Sequence, residues 1–334
     1  MRLIVPMAGK GTRLRPHTHV TPKPLLPVVG SSMVERIIDT LAEVLPRPIK
    51  EAVFVLGDFP QEVQEQLREI CARHRIEAHF VRQEQALGTA HAVYCAKDYL
   101  SGEGLIVFAD TLFEMEGTVD LEGADGIVWV KWVEDPSRFG VVVREGDRIV
   151  AFVEKPSEPI SHEAIIGIYY LRQLEALRRE IEYLLEHNIT GHGNEYQLTD
   201  AMDRLLQAGL IFKTASVQEW LDCGTIPALM ETTKYYLKKE GLKKSLGDAH
   251  QSVIIPPVYL GPGAEVVRSV VGPYVSVEAG ARIEGAVVRD SILFSHAQVG
   301  QIVLADSLVG QHARVTRTPE VLNVGDHSVV GQGS

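Results

Sequence analysis

From about Val253 onward an aliphatic residue recurs every six positions, and this period excludes more folds than any other feature of the chain. At that spacing Leu260 is followed by Val266, Val271 by Val277 and Ile283, Leu293 by Val299, Val309 by Val315, and Val324 by Val330. Six residues are too few for a stacked helical repeat. They match one side of a hexapeptide parallel β-helix, in which each side turns a corner. The phase slips between groups, which predicts loops interrupting the coils. A small irregular β-sandwich is the competing fold, and the partial register of the groups makes it the weaker one.

The first 225 or so residues read differently. Leu3-Ile4-Val5, Ala52 to Leu56 and Gly104 to Phe108 are short apolar runs of buried-strand type, and Met33 to Val44 and Gln61 to His74 between them have helical spacing. That alternation predicts a parallel sheet covered by helices on both faces. Gly126 to Val133, Phe139 to Val143 and Ile149 to Val153 add antiparallel pieces, with turns at Ser137 to Gly140 and Glu145-Gly146-Asp147. Helices are predicted over Leu171 to His187, Glu195 to Ala208 and Pro227 to Leu242. The last carries Lys234, Lys238 and Lys239, with Lys243 and Lys244 just beyond it, read as a solvated face rather than an anion site. A length of 334 residues exceeds one typical core. The predicted organisation is an α/β, Rossmann-like mixed-sheet domain over 1–228, a helical connector over 229–250 and a short parallel β-helix over 251–334.

Charge narrows the partners. With 33 basic against 44 acidic residues the net charge is -11, which opposes broad nucleic-acid binding. Cys71, Cys95 and Cys223 are too scattered for a zinc motif or a disulfide framework. No signal-peptide core is evident, and no apolar stretch approaches the ~18 residues of a membrane span. A soluble cytoplasmic protein without membrane partners is expected.

The chemistry starts where the first strand ends. Gly9 and Gly11 flank Lys10 before Thr12 and Arg13, letting the main chain approach a phosphate and aim N–H groups at it. The run is neither a Walker loop nor a full dinucleotide fingerprint, and alone it is no better than a tight turn. Arg13, Arg15 and Lys23 add three cations, and Thr21-Pro22-Lys23-Pro24 fixes the lysine between two rigid residues. A triphosphate in transfer needs cations held in place in that way.

Gly9-Lys10-Gly11-Thr12-Arg13-Leu14-Arg15-Pro16-His17-Thr18, followed by Pro22 to Val28, resembles the signature of sugar-1-phosphate nucleotidylyltransferases. The resemblance continues in order through Gln83 with Leu87-Gly88-Thr89-Ala90, Phe108-Ala109-Asp110, Phe152 to Pro156, Ile166 to Tyr169, Glu195 to Asp200 and Trp220 to Thr225. It covers nearly all of residues 1–230 and is similar above all to long-form glucose-1-phosphate thymidylyltransferases, which carry a left-handed β-helix tail. Bacterial UTP–glucose-1-phosphate uridylyltransferases are close behind, and guanosine triphosphate with mannose-1-phosphate stays open. Ala8 stands where the family commonly has glycine, beside the pocket for base or ribose.

The resemblance implies a GT-A-like catalytic fold that joins a nucleoside triphosphate, dTTP first, to a sugar-1-phosphate, glucose-1-phosphate first, with loss of pyrophosphate. It assigns catalysis to Arg13 and Lys23, nucleotide binding to Ala8, Gly9, Gly11, Thr12, Gln83 and Gly88, and sugar-phosphate binding to Gly140, Glu154, Lys155 and Ile166. Asp110 and Asp222 would hold Mg2+, a hard cation suited to carboxylate and phosphate oxygens. Singly, each aspartate reads equally as a cap or turn residue. A non-catalytic nucleotide-sugar-binding regulator is the alternative of a different class, and loss of Arg13, Lys23, Asp110 or Asp222 would have signalled it. An acyltransferase tail using His296, His312 or His327 is weaker than exposed corner or loop histidines, and self-association into a homo-oligomer is the expected role of the tail.

Overall fold

The computed structural model describes residues 1–240 and 247–318. Leu3 and Ile4 are fully buried, and the strand that carries them, β1 (Arg2–Pro6), has parallel neighbours on both sides. A short pair, β2 (Pro27–Val28) and β3 (Ser31–Ser32), leads into α1 (Met33–Val44), where the Ser32 hydroxyl caps the first turn by accepting from the Glu35 amide. Helical spacing then buries Met33, Val34, Ile37, Ile38 and Leu41 on one face. There follow β4 (Glu51–Leu56), α2 (Gln61–Arg73), β5 (Glu77–Arg82), α3 (Thr89–Tyr94) and β6 (Gly104–Val107). β4 pairs with β1, β5 with β4, and β6 with the opposite side of β1, all parallel. The winding therefore reverses at β1. In an open α/β sheet, ligands bind in the crevice beyond the carboxyl ends of strands at such a point. The Gly9 loop leaves β1 there, and Asp110 leaves β6 there.

β7 (Thr111–Glu114) stands outside this sheet, which becomes mixed through β8 (Gly126–Trp132), β9 (Gly140–Glu145), β10 (Arg148–Glu154) and β11 (Glu163–Leu171). β11 runs antiparallel between β6 and β8, while β9 and β10 form an antiparallel pair at the edge beyond it. After α4 (Leu174–Glu186) and α5 (Leu198–Gln207), β12 (Phe212–Ser216) lies parallel to β8 and β13 (Glu219–Asp222) antiparallel to β7. Two helices begin three residues later than their sequence pattern implies. Leu171 is taken by β11, opposite Gly104 and Gly126, and the stretch before Leu198 bonds to the loop ahead of α3.

Two compact units divide between Thr232 and Thr233, inside the helix α6 (Ile226–Glu240). Of the expected connector, residues 241–246, with Lys243 and Lys244, lie outside the described residues. Asp248–His250 is already a strand of the first coil, paired with Glu265–Val267. The basic face is not simply solvated, since Lys234 pairs with Asp290 at 3.3 Å and Lys238 lies over the Tyr274 ring.

The second unit is a parallel β-helix with three inward-facing aliphatic columns. One stacks Leu260, Val277, Leu293 and Val309; another Val266, Ile283, Val299 and Val315; the third Ile254, Val271, Val288 and Leu304. The phase slips expected to mark loops have another cause. Some sides of the coil use five residues instead of six, so Val266 stacks on Ile283 seventeen residues on, and Ile283 on Val299 sixteen residues on. Coil corners are made by residues with left-handed φ in columns, as in Gln251, Arg268, Gly285 and Gln301, or Gly263, Gly280, His296 and His312. His296 and His312 are corner residues whose rings stack 5.0 Å apart. His327 and the Val324–Val330 pair lie outside the described residues. Among the described residues no helix is long and apolar enough to cross a membrane.

Candidate active site

Two cavities open at the carboxyl ends of β1 and β6. The first, about 380 Å³, is walled by Ala8, Gly9, Gly11 and Arg13 from the loop after β1, by Lys23, and by Gln83 and Gly88 from the segment between β5 and α3. Gly11 has φ 54°, a left-handed conformation that glycine takes without steric cost, and its carbonyl accepts a 2.7 Å bond from the Thr18 hydroxyl. That bond closes the loop across the single helical turn of Thr12–Leu14. Lys23, 9% exposed, follows the extended Pro22 and precedes Pro24, and its ammonium lies 3.8 Å from the Asp110 carboxylate. The Gln83 side-chain nitrogen meets Nδ1 of His91 at 3.1 Å, and burial holds His91 below the ordinary imidazole pKa. A neutral His91 can accept that bond at Nδ1. Thr12 lines neither cavity.

The second cavity, about 660 Å³, is walled by Gly140, Glu154, Lys155, Ile166 and Asp222. Glu154 and Lys155 stand at the end of β10, where the Lys155 amide donates to the Phe139 carbonyl. The Glu154 carboxylate accepts from the Thr199 hydroxyl at 3.2 Å and lies 3.8 Å from the Lys155 ammonium. A methyl group on Gly140 would stand 2.9 Å from that carboxylate, so the absence of a side chain there sets the position of Glu154. Phe139 and Trp220 meet edge-to-face at 4.7 Å on the same wall, and the indole N–H of Trp220 is buried with no hydrogen-bond partner among the described residues. Arg138, Phe139, Gln197, Thr199 and Trp220 line this cavity although none was singled out for a role from sequence. The motifs around Thr199 and Trp220 were the signal that could have found them.

Arg13, Thr89, Phe108 and Asp110 line both cavities. At this junction the β7–β13 register sets Asp222 opposite Thr111, one residue from Asp110. Asp222 is held at both ends: its carboxylate accepts from the Gly224 amide and its carbonyl from the Thr232 hydroxyl, each at 2.7 Å. A methyl group on Gly224 would fall 2.9 Å from the Asp222 carboxylate and 3.1 Å from the Arg13 guanidinium, so these two groups converge on one small space. The Asp110 side chain is 57% exposed into the cavities but surrounded by protein, and this desolvation raises its pKa above the usual carboxylate value. The negative charge of Asp222 adds to the rise, while Lys23 and Arg13 oppose it.

The profile of the nucleotidyl transferase family matches residues 3–239. The low-salt glycan biosynthesis nucleotidyltransferase Agl11 of Haloferax volcanii is 30% identical, over 100% of this chain and 99% of its own length. A glucose-1-phosphate thymidylyltransferase of Streptomyces antibioticus is 28% identical, over 99% of each chain. Among solved structures, UDP-glucose pyrophosphorylase complexed with UDP-glucose superposes with a TM-score of 0.57 at 23% identity. That match covers 72% of this chain and 99% of the other, and it is a likeness of fold.

Proposed function

The chain belongs to the nucleotidyl transferase family, and on that premise we propose that it makes a nucleotide sugar from a nucleoside triphosphate and a sugar-1-phosphate. The observation that carries this is the shared wall. A cavity lined by a glycine-rich loop and a cavity lined by Glu154-Lys155 meet at Arg13 and Asp110, with Asp222 alongside. Two phosphorylated substrates held in these cavities would bring their reacting phosphates to that junction.

An oxygen of the sugar phosphate attacks the α-phosphorus in line; the bond from that phosphorus to the β-phosphate oxygen breaks, and pyrophosphate leaves. The attacking oxygen is already anionic, so no general base is required. Gly9 and Gly11 present main-chain N–H groups to the phosphates. Arg13 neutralises the β- and γ-phosphates and the five-coordinate state, and Lys23 bridges the α-phosphate and the sugar phosphate. Lys155 binds the sugar phosphate, and Glu154 accepts from sugar hydroxyls. Gln83 reads the base edge.

The donor set fits magnesium. Asp110 and Asp222 face the same junction, with the charge of Asp222 raising the pKa of Asp110. Magnesium binds in that manner, through one or two carboxylates with substrate phosphates and water completing the shell. Bound by Asp110 and Asp222, it would supply charge neutralisation and polarisation at the α-phosphate.

dTTP and glucose-1-phosphate are the proposed substrates, supported by the thymidylyltransferase of near-equal length. Pyrophosphate release across five triphosphates and a panel of sugar-1-phosphates tests this. The best rate is expected with dTTP and glucose-1-phosphate; preference for UTP or GTP would replace the base, and no release with any pair would overturn the reading. Self-association as a homo-oligomer is proposed on the second unit, where Val253, Val287 and Val303 are 57%, 41% and 72% exposed on one strand column. Sedimentation of Val303→Glu against the native chain tests it.

A further inference from the structure

Segment 87–90 and segment 195–199, whose Glu195 lines the first cavity and whose Gln197, Leu198 and Thr199 line the second, are clasped together. The Tyr196 amide donates to the Leu87 carbonyl and the Ala90 amide to the Tyr196 carbonyl, both at 2.9 Å. Gly88 sits between them with φ 121°, and a methyl group there would lie 2.4 Å from the Tyr196 carbonyl oxygen. The close approach that requires glycine at this position is therefore to Tyr196. A shift of Leu87 or Gly88 must carry Tyr196 with it.

Thr89 completes the clasp with a side chain. Its hydroxyl donates to the Gln197 amide oxygen at 3.2 Å and accepts from the Leu198 amide at 2.9 Å. Leu198 is the first residue of α5, and Gln197 at its N-cap makes no capping bond of its own. The orphan N–H is satisfied instead by a hydroxyl 109 residues away in sequence. Gln197 is 5% exposed, and its amide nitrogen is anchored to the His192 carbonyl at 2.9 Å. One residue further on, Thr199 donates to Glu154. An unbroken line of contacts thus runs from Gly88, on the nucleotide side, through Thr89, Gln197, Leu198 and Thr199 to Glu154, on the sugar side.

We propose that Thr89 is a positioning residue that couples the two cavities, so that a nucleotide against Gly88 fixes the start of α5 and tightens sugar-phosphate binding. The inference rests on the proposed nucleotidyl transfer. Coupling of this kind is reciprocal, and typical magnitudes are 5- to 150-fold in affinity, as orders of magnitude.

The test is isothermal titration of glucose-1-phosphate into the full chain with Mg2+, with and without saturating α,β-methylene-dTTP, which cannot transfer. The ratio of the two Kd values is the coupling. The native chain is expected to give a ratio of about 5 or more. Thr89→Val should bring it close to 1, whatever its effect on the Kd for glucose-1-phosphate alone. Thr89→Ser, which keeps the hydroxyl, should restore it. A native ratio near 1, or a native ratio retained in Thr89→Val, overturns the proposal. Should Thr89→Val fail to fold, Gln197→Met removes one Thr89 contact from the other side and is judged by the same ratio. Pyrophosphate release by the native chain separates the two failures. Turnover without a Thr89 effect refutes the coupling alone, and absence of turnover refutes the assigned reaction.

Discussion

The two units are held in shape by opposite means. In the second, the same environment recurs coil after coil, and Val266, Val277 and Ile283 are interchangeable aliphatic residues in stacked columns. In the first, no site residue repeats another. Asp110, Asp222, Lys23 and the Glu154-Lys155 pair come from different parts of the chain, and they are held by a varied set of contacts rather than by a repeated one. A repeat can lose one aliphatic contact and keep its architecture, whereas the contacts that hold the candidate site residues are not repeated elsewhere in the unit. Substitution in the first unit should therefore show in rate, and in the second in stability.

The largest effect is expected from Asp222→Asn. The amide oxygen can still accept from Gly224, so thermal unfolding should be unchanged while pyrophosphate release falls on the order of 10³-fold. Near-normal turnover would remove Asp222 from the site. Val277→Asp reverses the pattern, because it puts a carboxylate at a position with no exposure inside a coil. A loss of about 3 kcal/mol or more in the second unit is expected by calorimetry, with turnover of the folded protein within about twofold. Lys155→Ala is next: the KM for sugar phosphate should rise about 10- to 100-fold with little change in kcat, as for loss of a charged hydrogen bond bound equally in ground and transition states. An effect confined to the KM for triphosphate would contradict its assigned side. The smallest effect distinguishes shape from chemistry at a corner. His296 has φ 60°, so His296→Val should cost about 1 to 2 kcal/mol and His296→Asn almost nothing. Equal effects would mean that the imidazole, not the backbone, matters there.

The same contrast explains what could be read from sequence. The six-residue period announced the coil because burial repeats with the fold. Its slips mark shorter sides rather than loops, and nothing in Val266-to-Val271 or Ile283-to-Val288 says that a corner has been made with one residue fewer. The motifs that carry the expected charged residues come in order along the chain, and all but Thr12 of the expected residues line the two cavities. The hidden part is what positions them. Gly140 makes room for Glu154 fourteen residues away, and Thr89 caps a helix 109 residues away. Trp220 meets Phe139 from a strand on another sheet. Such contacts are set by tertiary register, which local patterns do not carry.

The claim on which the rest depends is that two substrates meet across the wall of Arg13 and Asp110 and react directly. Transfer from a triphosphate made chiral at the α-phosphorus with sulfur tests it in one measurement. A single in-line displacement inverts the configuration in the nucleotide sugar, and inversion is the expected result. Retention would mean two displacements through a nucleotidyl-enzyme intermediate and would contradict the direct meeting of the two cavities.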